Sequence, residues 1–289
     1  MSRLPVFARG LCDDAAVFPP GLAPLADAVP AHREHRAGSY GELVGPLVLA
    51  APALAELGTL IGDGDRLDLA VTAPAGPDQV TAAVEQARAL PVDIVAFEVA
   101  VPAEMTVPDF VGALGRACAA APGATVYVEV PRDERRPEVI AAIAASGHKA
   151  KFRTGGVKAE LYPDERELAA AIAAVVEANV PFKATAGLHH ALRNTDPKTG
   201  FEQHGFLNLL LATDAALGGA GEADLVGVLS ERDGDTVAAA VRGLGDERAA
   251  AARRAFVSFG TCSITEPLDE LVELALVPES VRSGEGVTA

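Results

Sequence analysis

Short apolar runs alternate with longer alanine-rich stretches along most of the chain. The runs are GPLVLA (45–50), LDLAVT (67–72), DIVAFEV (93–99), ATVYVEV (124–130), KAKFR (149–153), PFKATA (181–186), DLVGVLS (224–230) and FVSFGT (256–261). Their length and β-branched content predict strands. The stretches 53–61, 77–89, 107–121, 135–146, 164–179, 204–217, 234–254 and 266–275 carry their charges on one face and predict helices. Pro163-Asp164-Glu165 opens one of them, and Gly147 and Gly218-Gly219 close others. Regular strand–helix alternation implies a parallel sheet, and eight such units fit a (β/α)8 TIM barrel. An open doubly wound sheet is the competing arrangement, but no GxGxxG follows the first run. Residues 1–42 show no period and predict an irregular N-terminal segment with a short element near Ala15–Phe18. The expected layout is one domain over 1–289: that segment, a barrel over 43–278 and a frayed tail over 279–289.

Side chains in a strand alternate between faces, so the apolar members of each run assign its outer face. Phe152 and Ala150 then point toward helices, and Lys151 and Arg153 point into the barrel. Phe182 and Ala184 face out, and Lys183 and Thr185 face in. The same parity sends Phe97, Val126, Val128, Val257 and Phe259 outward. It sends Glu98, Tyr127, Glu129, Ser258, Gly260 and Thr72 inward. The polar inward residues cluster at the carboxyl ends of their runs, the end at which barrels carry out chemistry. A ring of salt bridges closing the core is the plain reading of one such pair. Five charged residues of the same parity, Glu98, Glu129, Lys151, Arg153 and Lys183, favour a functional site.

Composition narrows the function further. The chain has 289 residues, 49% of them hydrophobic, with no Trp, so Ala, Val and Leu must build the core. A formal net charge of −16 repels phosphate backbones and argues against nucleic-acid partners. No apolar run approaches a membrane span, and the N-terminus has no signal-peptide core, so neither a membrane nor export is expected. Three cysteines without metal-like spacing suit a reducing cytoplasm. Self-association into a homo-oligomer is left open.

A lysine in a mainly apolar barrel beside a second cation is expected to lose its proton readily. The neutral amine attacks carbonyls and forms a Schiff base, whose iminium draws electrons from the adjacent carbon. Glu98 or Glu129 would move protons. Arg153 and the backbone of Thr154, Gly155 and Gly156 would hold an anionic group, with Thr185, His189, His190, Ser258, Gly260 and Thr261 completing the substrate contacts. Neither cofactor nor metal is required by this reading.

Lys151-Phe-Arg-Thr154-Gly155 resembles the Lys-x-Ser-Thr-Gly motif of the deoxyribose-phosphate aldolase family. Lys183-Ala-Thr-Ala-Gly187-Leu is similar to that family's Lys-Ala-Ser-Gly-Gly-Ile, and Phe259-Gly260-Thr261-Cys262-Ser263 to its Ile-Gly-Thr-Ser strand end. The resemblance implies a (β/α)8 barrel, a Schiff base on Lys151, a tuning role for Lys183 and a phosphate contact at the last strand. It is confined to short pieces of 149–263. Phe152 and Arg153 replace small residues, Ala186 breaks the glycine pair, and the run 224–230 adds a strand–helix unit.

Two other readings stand beside the aldolase-like or lyase-like one. Glu98 and Glu129 with His189, His190 or His204 would form the ligand set of a metal-dependent barrel enzyme. A non-catalytic barrel would use the same cations to bind an anionic metabolite. The polar segment RNTDPKTGFEQ (193–203) is a lid or a surface loop, and Asp13-Asp14 either reaches the site or plugs the barrel bottom.

Overall fold

The computed structural model describes residues 4–62 and 66–283. Eight parallel strands close into a barrel: β1 (Cys12–Asp14), β2 (Val44–Ala50), β3 (Leu67–Ala73), β4 (Val92–Ala100), β5 (Thr125–Glu129), β6 (Lys149–Arg153), β7 (Phe182–Thr185) and, after a small antiparallel hairpin of β8 (Asn194–Thr195) and β9 (Glu202–Gln203), β10 (Phe256–Thr261). Each strand lies beside its sequence neighbour, and β1 closes the ring between β10 and β2. The chain is therefore a (β/α)8 TIM barrel. Of the tail expected at 279–289, Ser280–Ser283 is a short helix and 284–289 lie outside the described residues.

Two elements differ from the sequence expectation. DLVGVLS is not a strand but part of the helix Glu222–Ser230. Its fully buried residues, Leu225 and Leu229, are four apart, the helical spacing, with Val226 and Val228 only half-buried between them. The eighth strand comes instead from the segment expected to be irregular. Cys12-Asp13-Asp14 has no apolar alternation, yet all three residues are buried. Its acids are held by partners from other elements. Asp13 meets Lys183 and Ser258, and Asp14 meets His32 of the helix Leu25–Ala37 at 2.9 Å. Ala15–Phe18, expected as a short element, is the turn that follows, with Phe18 N donating to Ala15 O. The long helix expected over 234–254 is broken at Gly243-Leu244 into Gly234–Arg242 and Gly245–Ala255.

Parity decides the two faces of the wall. Leu47, Leu49, Leu69, Val71, Phe97, Val126, Val128, Phe152 and Phe182 belong to the large core between strands and helices. Phe182 sits 5.5 Å from Phe152 and 5.3 Å from Phe256, and Phe206 of the helix Phe206–Leu217 stacks on Phe259 at 4.8 Å. Each such burial contributes about 1.5–3 kcal/mol. The intervening residues Val48, Ala70, Ala96 and Tyr127 form a separate inner cluster, against which Ala15, Phe18 and Val257 pack. Val257 was expected outside. The β7–β10 register slips between Phe256 and Ser258, so one extra residue turns Val257 inward while Phe256 keeps the outer position.

Candidate active site

The inward carboxyl ends of six neighbouring strands meet in one polar cluster. Register sets Glu98 beside Tyr127, Glu129 beside Lys151, Lys151 beside Lys183, Lys183 beside Ser258, and Asp13 beside Gly260. Glu98 is the hub. Its Oε2 lies 2.8 Å from Lys151 Nζ and its Oε1 accepts from Lys183 Nζ at 2.5 Å. Lys183 also donates to Asp13 Oδ2 at 2.5 Å, and Asp13 accepts from Ser258 Oγ at 2.8 Å. Lys151 reaches Glu129 at 3.0 Å, and Arg153 Nε donates to the other oxygen of Glu129 at 3.3 Å. Three carboxylates thus meet two ammoniums and one guanidinium. The Lys183 ammonium also lies 5.3 Å from the centre of the Tyr127 ring.

Depth distinguishes the two lysines. The Lys183 side chain is 1% exposed and walled in by Asp13, Glu98 and Tyr127. Lys151 is 6% exposed and its outer partners open toward solvent, Glu129 at 23% and Arg153 at 41%. Lys151 is therefore the more accessible of the two ammoniums.

The lysines are not depressed by one another as their sequence spacing suggested. Burial works against the charge on Lys151, but Glu98 and Glu129 outweigh it and hold the ammonium above its ordinary range. Burial opposes the charge on Lys183 too, and Asp13 and Glu98 raise it strongly. Burial pushes Glu98 up, and the two ammoniums together pull it down to about 2. Burial alone dominates at Tyr127, pushed up to about 12. The reason is that a carboxylate stands between the cations, so each charge faces an opposite one first.

The two glycine turns after β6 and β7 explain the paired sequence pattern. Thr154 is fully buried; its N–H donates to Thr185 O and its Oγ1 to Ala186 O at 2.8 Å. Ala186 and Gly187 both have positive φ, +67° and +71°. The backbone thus keeps a left-handed turn where the similar motif has a glycine pair. A Cβ on Gly187 would lie 2.7 Å from Tyr162 Cε1 and 3.0 Å from Gly155 Cα. Gly187→Ala is expected to lower stability by about 2–4 kcal/mol through clash and strain. Ala186→Gly, which suits its φ, should cost nothing. Urea midpoints of the two variants check this, and equal midpoints would contradict the close crossing.

The remaining expected contacts divide. Thr185 Oγ1 is buried on the inner wall above Lys183 and has no partner among the described residues. A Cβ on Gly260 would make an ordinary contact with Thr185 Cγ2 at 3.5 Å. Thr261 turns its hydroxyl to Ser263 O at 2.9 Å. Gly156 abuts Leu161, where a Cβ would meet Leu161 Cδ1 at 2.4 Å. His189 lies 3.6 Å from Cys262 Sγ, and His190 Nδ1 meets Glu270 Oε1 at 2.5 Å.

Metal ligation by Glu98, Glu129 and a histidine is not what the fold assembles. His204 is buried against the Pro163 carbonyl, and His189 and His190 hold the partners just named. Among the described residues no group of three or more His, Cys, Asp and Glu side chains has metal-binding geometry. Asp13 reaches the site and does not plug the bottom; its acidic neighbour Asp14 was the only signal of it. The segment 193–203 is the hairpin, fastened by Arg193 to Glu165 at 2.6 Å and by Phe201 to Tyr162 at 5.5 Å. Among the described residues no helix is long and apolar enough to cross a membrane.

No protein-family model matches the sequence, and no curated protein matches it either. Solved structures resemble it distantly. One is the deoxyribose phosphate aldolase of Aeropyrum pernix, described as a unique tetramer, with 15% identity over 93% of this chain and 92% of that one and a TM-score of 0.48. Another is a nitroalkane oxidase from Streptomyces ansochromogenes, with 18% identity over 96% and 99% of the two chains and a TM-score of 0.37. A third is a putative fructose-1,6-bisphosphate aldolase from Coccidioides immitis, with 9% identity over 96% and 88% and a TM-score of 0.36.

Proposed function

We propose that the chain is a cytoplasmic barrel enzyme of lyase or aldolase type, which binds a small anionic carbonyl compound and forms a Schiff base on Lys151. The observation that carries this reading is the Lys151–Glu98–Lys183–Asp13 chain of contacts at the carboxyl end of the barrel. An inert core has little reason to bury two ammoniums, because ion pairs of this kind are often no more stabilising than apolar residues of the same volume.

Arg153, half-exposed at the rim, would take the anionic group. Its movement toward the ligand frees one oxygen of Glu129. A Lys151 proton then passes to Glu98 or Glu129, both within 3.0 Å. The amine nitrogen attacks the carbonyl carbon and the oxygen takes up that proton. The nitrogen then gives a second proton to the same carboxylate pair, which delivers it to the carbinolamine hydroxyl as water leaves. Ammonium plus carbonyl gives iminium plus water, with one positive charge on each side. The carboxylates that held the ammonium then hold the iminium, while it withdraws electrons from the neighbouring C–C or C–H bond. Lys183 stays charged, keeps Glu98 aimed at Lys151 and favours its return to the ionised form after each transfer. A homo-oligomer belongs to this proposal as well, to be tested by sedimentation.

Borohydride trapping tests the reading. Pyruvate and small aldehydes with borohydride should leave a reduced adduct that peptide mapping places on Lys151. Adducts confined to exposed lysines such as Lys158, at the level of unfolded protein, would leave the cluster as a charged core or an anion-binding site.

A further inference from the structure

In barrel enzymes a phosphate commonly sits beyond the last two strands, at a helix N-terminus. Here that corner holds negative charge. The helix Thr265–Glu273 follows β10 and carries Glu266 in its first turn and Glu270 one turn later. The Glu266 N–H already donates to Ser263 Oγ at 3.2 Å. Glu270 holds the His190 imidazole and accepts the Ala191 N–H as well. Burial lowers the pKa of His189, against the pull of the Glu266 and Asp196 carboxylates. A phosphate dianion placed here would face those carboxylates, with the Glu266 and Ala191 N–H groups and His190 already engaged.

The adjoining wall is apolar. After β1 the segment Ala15–Ala23 (AAVFPPGLA) doubles back, with Leu22 N donating to Phe18 O and Ala23 N to Ala16 O. It stays tied to the last strand end: Ala15 N donates to Thr261 O at 2.7 Å, and a Cβ on Gly21 would lie 2.9 Å from Cys262 Cβ. Phe18 packs on the inner cluster that includes Tyr127. Leu22 breaks two local rules at once. It has φ +48°, a region that disfavours branched side chains, and it leaves 64% of an apolar residue in solvent. Such an outlier on the loop over the barrel mouth points to a use for that surface.

We propose that the substrate is an unphosphorylated carbonyl compound, whose end remote from the reacting carbonyl is apolar and packs on the Phe18–Leu22 loop. This rests on the Lys151 Schiff-base reading; the anionic group on Arg153 is then a carboxylate. Two matched pairs of probes, read by borohydride labelling of the full chain at Lys151, test it. Adding a phosphate, glyceraldehyde to glyceraldehyde 3-phosphate, should not raise the labelling rate. Adding a tail, pyruvate to 2-oxohexanoate, should raise it about tenfold, and Leu22→Asn, which suits the left-handed backbone, should reduce that gain. Inorganic phosphate should neither slow labelling nor raise the melting temperature. Faster labelling by the phosphorylated aldehyde, or no gain from the tail, overturns the proposal and leaves the Schiff base standing. If no probe labels Lys151, the Schiff-base reading fails. Melting curves then decide the substrate class: stabilisation by phosphate overturns the proposal, and stabilisation by 2-oxohexanoate over pyruvate supports it.

Discussion

Glu98→Gln is expected to destabilise the barrel by about 3 kcal/mol and to slow imine formation about a hundredfold. The carboxylate holds two ammoniums, and its removal leaves each with a single charged partner, Lys183 with Asp13 and Lys151 with Glu129. The size follows from its titration. Glu98 is held at about 2, against an ordinary carboxylate near 4.3, and such a displacement corresponds to about 3 kcal/mol. Because the folded value is depressed, that stabilisation is present above the ordinary carboxylate pKa and is lost as pH falls toward about 2. Urea midpoints of wild type and variant should therefore differ most at neutral pH and converge in acid. Glu98→Gln combined with Lys151→Met should recover part of the loss, since Lys183 then keeps Asp13 and Glu129 keeps Arg153, so no buried charge is orphaned. A neutral-pH difference below about 0.5 kcal/mol would mean that the bridge is not formed in solution.

The barrel and the inner face were legible because strand parity is a local rule. Phe152 and Lys151 are neighbours on a strand, so once Phe152 is placed outside, Lys151 must be inside. What parity cannot give is the partner across the barrel. Asp13 lies 170 positions from Lys183, and no periodicity in Cys12-Asp13-Asp14 marks it as a strand. Its strand exists because the polar lumen gives those acids partners, a tertiary effect that overrides weak local propensity. The run 224–230 failed in the opposite sense. Val226 and Val228 alternate as in a strand, while the decisive burial at Leu225 and Leu229 shows only when the surrounding helices are in place. The charge state of the lysines was misread for the same reason as Asp13. Parity put Glu98 and Glu129 on the same wall as the lysines but could not set Glu98 between them, and that position turns the expected mutual repulsion into attraction.

Lys151→Arg should abolish both the trapped adduct and turnover, a loss of about 10⁴-fold or more if the amine is the nucleophile. An arginine keeps the positive charge beside Glu98 and Glu129, so the fold should change little, but it cannot supply a neutral amine. Lys183→Met separates the two roles. It should leave Lys151 trappable but slower, because Lys183 holds Glu98 and makes no outward contact of its own. The pH dependence distinguishes chemistry from mere binding. Lys151 is held above its ordinary range by the two glutamates, so its free-amine fraction grows as pH rises, and the initial rate of imine formation should climb from about pH 7 to about pH 10. Anion binding at the same cations would weaken over that interval instead. Rapid-quench borohydride trapping across the pH series reads the slope directly. A rate that falls with pH, or a Lys151→Arg protein with normal turnover, would mean that the two lysines act as clamps for an anionic ligand and that neither is the nucleophile.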